Sequence, residues 1–231
     1  LFPATAKEIA MTADPSLFET IHSLRAMRRL KPDPVPDDMI RQIIEAGTCA
    51  PSGQNLQRWS FLVVTDAEGK QFFGERYHYW LRNRFANVID TIDPASSDGR
   101  VMKSALHLGE HMHEAPVLMF CCGKRDWPFV VPQAQRVGLA PPSYGSIYPA
   151  VQNILLAARG LGLGASLTTM HQMFEPEMQA FFGIPEEWGV VAVIPMGFPL
   201  GKFGPVTRAP APTKTHFNRW GQGKPGLAAP E

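Results

Sequence analysis

Cysteine is scarce, with only Cys49, Cys121 and Cys122 in 231 residues. An odd count that includes an adjacent pair gives no disulfide framework, and a reducing, cytoplasmic setting is the simplest reading. Net charge is nearly absent, since 22 Lys and Arg face 21 Asp and Glu. A chain so balanced carries no electrostatic footprint for nucleic acid or for an anionic membrane. Long apolar runs are missing as well; none approaches the roughly 20 residues of a membrane-spanning helix. The opening Leu1-Phe2-Pro3 lacks an initiator Met and has neither the basic region nor the apolar core of a signal peptide. Met11-Thr12-Ala13-Asp14 looks more like a natural beginning, with residues 1–10 as a leader or an added stretch. No internal repeat is visible. The H-E-x-x-H order is absent, so His107, His111 and His113 with Glu110 and Glu114 read as a polar helix face, and no metal is expected.

What the chain does have is proline and glycine, 22 and 20 residues, set largely between periodic segments and in the tail. That distribution fits a compact fold with long functional loops. Ser16-Leu17-Phe18-Glu19 reads as a capping box, followed by Phe18, Ile21, His22 and Arg25 at helical spacing. Pro32, Pro34 and Pro36 enforce an extended connector, after which Asp37 or Asp38 can cap a helix with Ile40, Ile43 and Ile44 on its apolar face. Strands are expected at 59–65, 116–122, 165–169 and 190–196. Helices are expected at 68 to about 90, 100–113, 147–161 and 175–182, the third apolar nearly all round and therefore central. Residues 124–142 hold four prolines without a period and read as a long loop, of the kind that forms lids or binding surfaces. Alternation sends Cys121 and Cys122 to opposite faces of a buried strand, which argues against redox catalysis by the pair. Gly160, Gly162 and Gly164 follow a helix and lead into a strand, the reverse of the dinucleotide-binding order, so they form a turn. The order of elements is that of an α+β (mixed α/β) chain: an extension at 1–15, then one domain over 16–231 with an arm from about residue 200.

Four segments carry candidate chemistry. Arg25, Arg28 and Arg29 fall within five residues, and guanidinium forks match phosphate oxygens; a solvated basic helix end is the plainer reading. In Pro51-Ser52-Gly53-Gln54-Asn55-Leu56-Gln57, small residues admit a flat ligand and the amides of Asn55 and Gln57 suit ring carbonyls and ring N–H groups. An ordinary helix-to-strand turn would use the same residues. Leu167, Thr168 and Thr169 offer hydroxyls and backbone N–H groups at a strand end. Arg208 stands alone in a proline-rich tail, where solvent exposure is the default.

In this order the segments LRAMRRLKPDPVP, APSGQNLQRWSFLVV, YPAVQNILLAARGLGLGASLTT, VVAVIPMGFP and Arg208 with HFNRWG resemble the FMN-dependent nitroreductases, from about Phe18 to Trp220. The resemblance implies a central mixed sheet flanked by helices, in an intertwined homodimer with FMN at the subunit interface. It implies that Arg25, Ala26, Met27 and Arg28 hold the flavin phosphate and ribityl chain, with Arg28 near the pyrimidine edge of the ring. Pro51, Ser52 and Gly53 match a loop supplied by the other subunit, with Asn55 and Gln57 close to the ring. Leu167, Thr168 and Thr169 match a stretch whose backbone faces flavin N5, and Arg208 a tail residue that reaches the phosphate. Arg28, Thr168 and Thr169 are then the catalytic candidates.

The implied activity takes hydride from NADH or NADPH and passes electrons to nitroaromatic, quinone or related small acceptors in a ping-pong scheme. A reductive dehalogenase or specific oxidoreductase on the same fold, and a flavin-sequestering protein without turnover, are the competing readings. Three departures from the family pattern stand out: Ala26 lacks the usual hydroxyl, Arg58 replaces the usual Pro before Trp59, and residues 75–115 and 124–143 follow no named subfamily. Trp127, Phe129, Tyr144 and His171 are candidates for the substrate side, against ordinary loop packing.

Overall fold

The computed structural model describes residues 15–125 and 144–223. Among these residues four strands, β1 (Trp59–Val64), β2 (Val117–Lys124), β3 (Gly164–Ala165) and β4 (Trp188–Gly197), form one sheet in the order β1-β2-β4-β3. The resemblance implied a mixed sheet; the three pairings among the described residues are all antiparallel. Among the described residues six helices flank it: α1 (Leu17–Ser23), α2 (Asp37–Thr48), α3 (Ala67–Ile89), α4 (Ser97–Glu110), α5 (Tyr144–Gly160) and α6 (Glu175–Phe182). The α+β class expected from the order of elements is the one observed.

Both faces of the sheet are covered, and the alternation of β2 shows why. Val117, Met119 and Cys121 point into one core, with Ile43 of α2 and Val151 and Ile154 of α5. Leu118, Phe120 and Cys122 point into the other, with Phe73 and Tyr77 of α3 and Met178 of α6. A strand buried on both faces reads as an unbroken apolar run, which is the pattern of β2 and β4 in the sequence. The two adjacent cysteines do lie on opposite faces. Burial pushes the Cys122 thiol up to about 12 and Cys121 higher still, whereas Cys49 is exposed. Since the thiolate is the reactive form, disulfide-reagent titration of the folded protein should find one fast thiol, the other two reacting only on unfolding. Three equally fast thiols would contradict the buried strand.

Several boundaries differ from expectation for local reasons. Ser16 caps α1 as expected, accepting the Glu19 N–H at 3.2 Å. The helix stops at Ser23, however, and Leu24 is already extended, so the arginine cluster is not on a helix end. Helix α2 is preceded by Pro36 without a side-chain cap; Asp37 and Asp38 sit inside its first turn, where their charge suits the helix dipole. Helix α4 begins three residues earlier than expected because Ser96 accepts the Gly99 N–H at 2.9 Å. The strand expected at 165–169 shrinks to two residues, with a single further bridge from Thr168 to Val193. Ser166 N–H donates to the Pro195 carbonyl at 3.3 Å, but proline has no N–H to return, and the ladder breaks there.

Candidate functional site

The segment after α1 runs as an extended ribbon between two others. Met27 N–H donates to the Ala165 carbonyl at 2.9 Å, which ties it to the end of β3. On its other side the tail comes back: Lys31 N–H donates to Phe198 at 2.7 Å, Leu200 N–H to Arg29 at 3.0 Å and Val206 N–H to His22 at 3.1 Å. Contact with β3 is close because Gly164 has no side chain; a Cβ there would stand 2.9 Å from the Met27 Cβ and 3.0 Å from Leu30 Cδ2. Two sequence-predicted stretches, 25–28 and 167–169, are thereby brought onto one edge of the sheet. Met27 is buried, Arg28 half-buried, and Arg25, Ala26, Leu167 and Thr169 are exposed.

Within that edge the donors divide. Thr168 spends its backbone on the core: its N–H donates to Val193 at 2.9 Å and its carbonyl accepts from Val193 at 3.0 Å. Its hydroxyl accepts the Met170 N–H at 3.3 Å and donates to the Tyr77 hydroxyl at 3.3 Å. The Thr169 N–H has no such partner among the described residues, which leaves Thr169 as the open backbone donor of the pair. Burial raises the Tyr77 pKa, and the Thr168 hydrogen bond and the Arg28 charge oppose that rise. Arg28 therefore lies within electrostatic reach of the Thr168–Tyr77 pair. Two residues before Thr168, the Ser166 hydroxyl is buried without a hydrogen-bond partner among the described residues.

Tyr77 was missed in the sequence, although Phe73, Tyr77 and Leu81 recur every four residues on the buried face of α3 and signal a packed tyrosine. Arg159 was missed too. From α5 the Arg159 Nε donates to the Ser23 hydroxyl at 3.0 Å, while its guanidinium lies 4.0 Å over the Phe203 ring, clamping the tail to the end of α1.

The other predicted half stands on a different support. Gly53 N–H donates to the buried Ser146 hydroxyl of α5 at 3.2 Å, and Ser52 accepts the Gln57 N–H at 2.8 Å. Gln57 and Asn55 join side chain to side chain at 3.1 Å. Gln54, Asn55 and Gln57 all have positive φ, at 54°, 54° and 49°. Three non-glycine residues in the left-handed region within one short loop are strain, which proteins concentrate at functional sites. Pro51, Gly53, Asn55 and Gln57 are exposed, and the loop's hydrogen bonds run to α5 and within itself. Arg208 is exposed as well, its Nη1 on the Thr207 carbonyl at 2.8 Å. Of the substrate-side candidates, Trp127 and Phe129 lie outside the described residues. Tyr144 opens α5, and His171 is fully buried with its Nε2 on the Val190 carbonyl at 2.8 Å.

A sheet of this order, with an arginine-bearing ribbon tied to the β3 edge, can be compared with known families. The Nitroreductase family model matches residues 21–198, more than three quarters of the chain. The chain belongs to the nitroreductase family. A Thermus thermophilus relative named NADH dehydrogenase is 29% identical over 192 residues, covering 80% of this chain and 88% of that protein. Among solved structures, oxidized iodotyrosine deiodinase bound to FMN and 3-iodo-L-tyrosine aligns with a TM-score of 0.67 at 20% identity, covering 90% of this chain and all of that one. A Bacteroides fragilis nitroreductase with bound FMN aligns with a TM-score of 0.60 at 21% identity, covering 87% and 98%. The chain shares this fold, and its membership of the family makes it an oxidoreductase. No helix among its described residues is long and apolar enough to cross a membrane.

Proposed function

We propose that the chain is an FMN-dependent oxidoreductase that takes hydride from NADH or NADPH and reduces small acceptors such as nitroaromatics or quinones, as a homodimer. One observation carries the reading: the ribbon that bears Arg25 and Arg28 is hydrogen-bonded through Met27 to Ala165, in the same stretch as Thr169, whose N–H has no partner among the described residues. Neither arginine has a carboxylate partner among the described residues, so both are free for an anion. Arg25 suits the phosphate, with bidentate guanidinium donors. Arg28 suits the pyrimidine edge, and Thr169 N–H the ring nitrogen beside it. When bound, FMN supplies the two-electron chemistry; the protein holds and orients it. Thr168, tied to Val193 and Tyr77, fixes the backbone that aims Thr169.

The homodimer reading accounts for features that one chain leaves without use. The strained 51–57 loop is built and anchored on α5, with no hydrogen bond to the 25–28 ribbon among the described residues. Leu17 and Phe18 of α1 are 64% and 69% exposed and Trp220 is 89% exposed, apolar surface of the kind that a second copy covers. Arg208 would then act on the phosphate together with Arg25.

The purified protein should carry a flavin absorption spectrum on a dimer-sized particle, and NADH or NADPH should bleach it without oxygen. A spectrum that does not bleach would point to a sequestering protein. No flavin, and none taken up from added FMN, would sink the reading. The fold shared with iodotyrosine deiodinase favours reductive dehalogenation as the second reading, separated by supplying halogenated phenols as acceptors. Gly164→Val tests the ribbon directly. Its branches would overlap Met27 and Leu30, so a loss of about 1–3 kcal/mol of stability is expected, with FMN affinity falling as the ribbon lifts from β3. Unchanged FMN affinity would place the cofactor elsewhere.

A further inference from the structure

A cleft of about 590 Å³ opens between the end of α3, the connection that follows it, α4 and Arg29. Its size falls within the roughly 300–1,000 Å³ of small-molecule sites. Ile89, Ile92 and Leu106 give it an apolar wall, and Arg29, Lys103 and His107 a polar one. Arg29 Nη1 lies 3.4 Å from His107 Nδ1. A guanidinium can only donate, so Nδ1 accepts, and the imidazole is neutral with its proton on Nε2. Burial and the Arg29 charge both push the His107 pKa down, in keeping with that state.

Formal charge in the cleft is even, two cations, Arg29 and Lys103, against two carboxylates, but among the described residues the cations are not paired with those carboxylates. Two carboxylates line it, Glu110 and Asp90. Glu110 faces Arg82 at 4.0 Å, and Asp90 ends α3 as its C-cap. The next carboxylate along, Glu114, is taken by His111 at 2.9 Å. Arg29 and Lys103 have no ion-pair partner among the described residues. An arginine set against a neutral imidazole has most of its five donors left over, in a geometry that matches a carboxylate.

We propose that this cleft binds a small organic carboxylate with an apolar body, its carboxylate on Arg29 and Lys103 and its body against Ile89, Ile92 and Leu106, and that such a molecule is the acceptor. The second clause rests on the flavin-reductase reading; the site itself does not. Arg29 directly follows Arg28 on the ribbon, which links the cleft to the proposed flavin segment through the backbone. Reduction of a nitro acceptor balances as follows: NAD(P)H gives a hydride, two electrons and one proton, and leaves as NAD(P)+; a hydronium ion of the solvent gives the second proton; one N–O bond breaks, and the nitro group becomes nitroso with release of that oxygen as water.

Titration calorimetry of the FMN-loaded full chain with benzoate and with benzamide tests the site. Benzoate should bind at least about tenfold more tightly than benzamide, and Arg29→Ala should weaken benzoate by about tenfold, the worth of one charge-assisted hydrogen-bond pair. Arg29 is exposed, so the variant should keep the parent's thermal melt. In turnover, the ratio of kcat/KM for 4-nitrobenzoate over nitrobenzene should fall about tenfold in Arg29→Ala. Equal binding of benzoate and benzamide, or no effect of Arg29→Ala on benzoate, overturns the site even if nitrobenzene is reduced. An unchanged kcat/KM ratio overturns the acceptor clause. Selective, Arg29-dependent benzoate binding without reduction of either nitro compound supports the site and overturns the acceptor clause, whereas a bound flavin that NAD(P)H does not bleach overturns the reductase reading.

Discussion

Arg28→Ala should lower the two-electron potential of bound FMN by about 30–90 mV and slow its reduction by NAD(P)H, while Arg28→Lys should recover most of both. Reduced flavin gathers negative charge along its N1–C2 carbonyl edge, where the proposed reading sets Arg28. A nearby opposite charge typically shifts a titrating group by about 1–3 pKa units. Each unit is about 1.4 kcal/mol. For a two-electron couple, about 1.4 kcal/mol corresponds to about 30 mV. The lower end applies if solvent screens Arg28, which is half-buried; the upper end applies if the ligand and a second chain enclose it. Anaerobic titration against a reference dye reads the potential, and stopped-flow mixing reads the rate. Arg25→Ala is the control: it should cost FMN affinity and leave the potential of the retained flavin near its original value. If Arg28→Ala binds FMN normally and reduces it at an unchanged potential and rate, the residue has no electronic role.

Much of this arrangement is legible in the amino-acid sequence, and what is not has identifiable causes. Strands β2 and β4 are legible because burial on both faces leaves an unbroken apolar run. Helix α6 has the same limits in sequence and structure, because Gly183 ends it in a left-handed cap. The ribbon at 25–31 is not legible as a ribbon. Its backbone partners are Ala165 and Phe198, more than a hundred residues away, and the helical spacing of Phe18, Ile21 and His22 points to a helix running on to Arg25. The early end of β3 is signalled only by Pro195 on the opposite strand, which the residues 165–169 by themselves do not reveal. Roles within the site are legible as a stretch, not atom by atom. Thr168 and Thr169 look equivalent in sequence, and only the pairing with Val193 separates the occupied N–H from the open one. The Arg29 cleft has no linear signal, since its cationic residues come from the ribbon and from α4.

The same two-faced sheet sets the largest expected loss of stability. Phe120→Ala should destabilise the fold by about 3–5 kcal/mol. Phe120 is fully buried in the centre of β2, with the Phe73 ring centroid 5.3 Å away and that of Phe182 at 4.9 Å in an edge-on approach. Removing the ring leaves Phe73 of α3 and Phe182 of α6 facing a void between two helices and a sheet strand. Both rings are packed into the same cluster by further neighbours, so the void cannot easily close. A typical domain has only about 5–15 kcal/mol in total, so such a loss takes a large share of it. Cys122→Ala, two residues along on the same face, should cost much less because it removes one small atom. Urea melts of the two variants give the comparison. Equal, small losses for both would mean that the α3–β2–α6 core is loosely packed. The tether of Tyr77 to Thr168, which hangs from that same core, would then be too soft to aim Thr169 at a ligand.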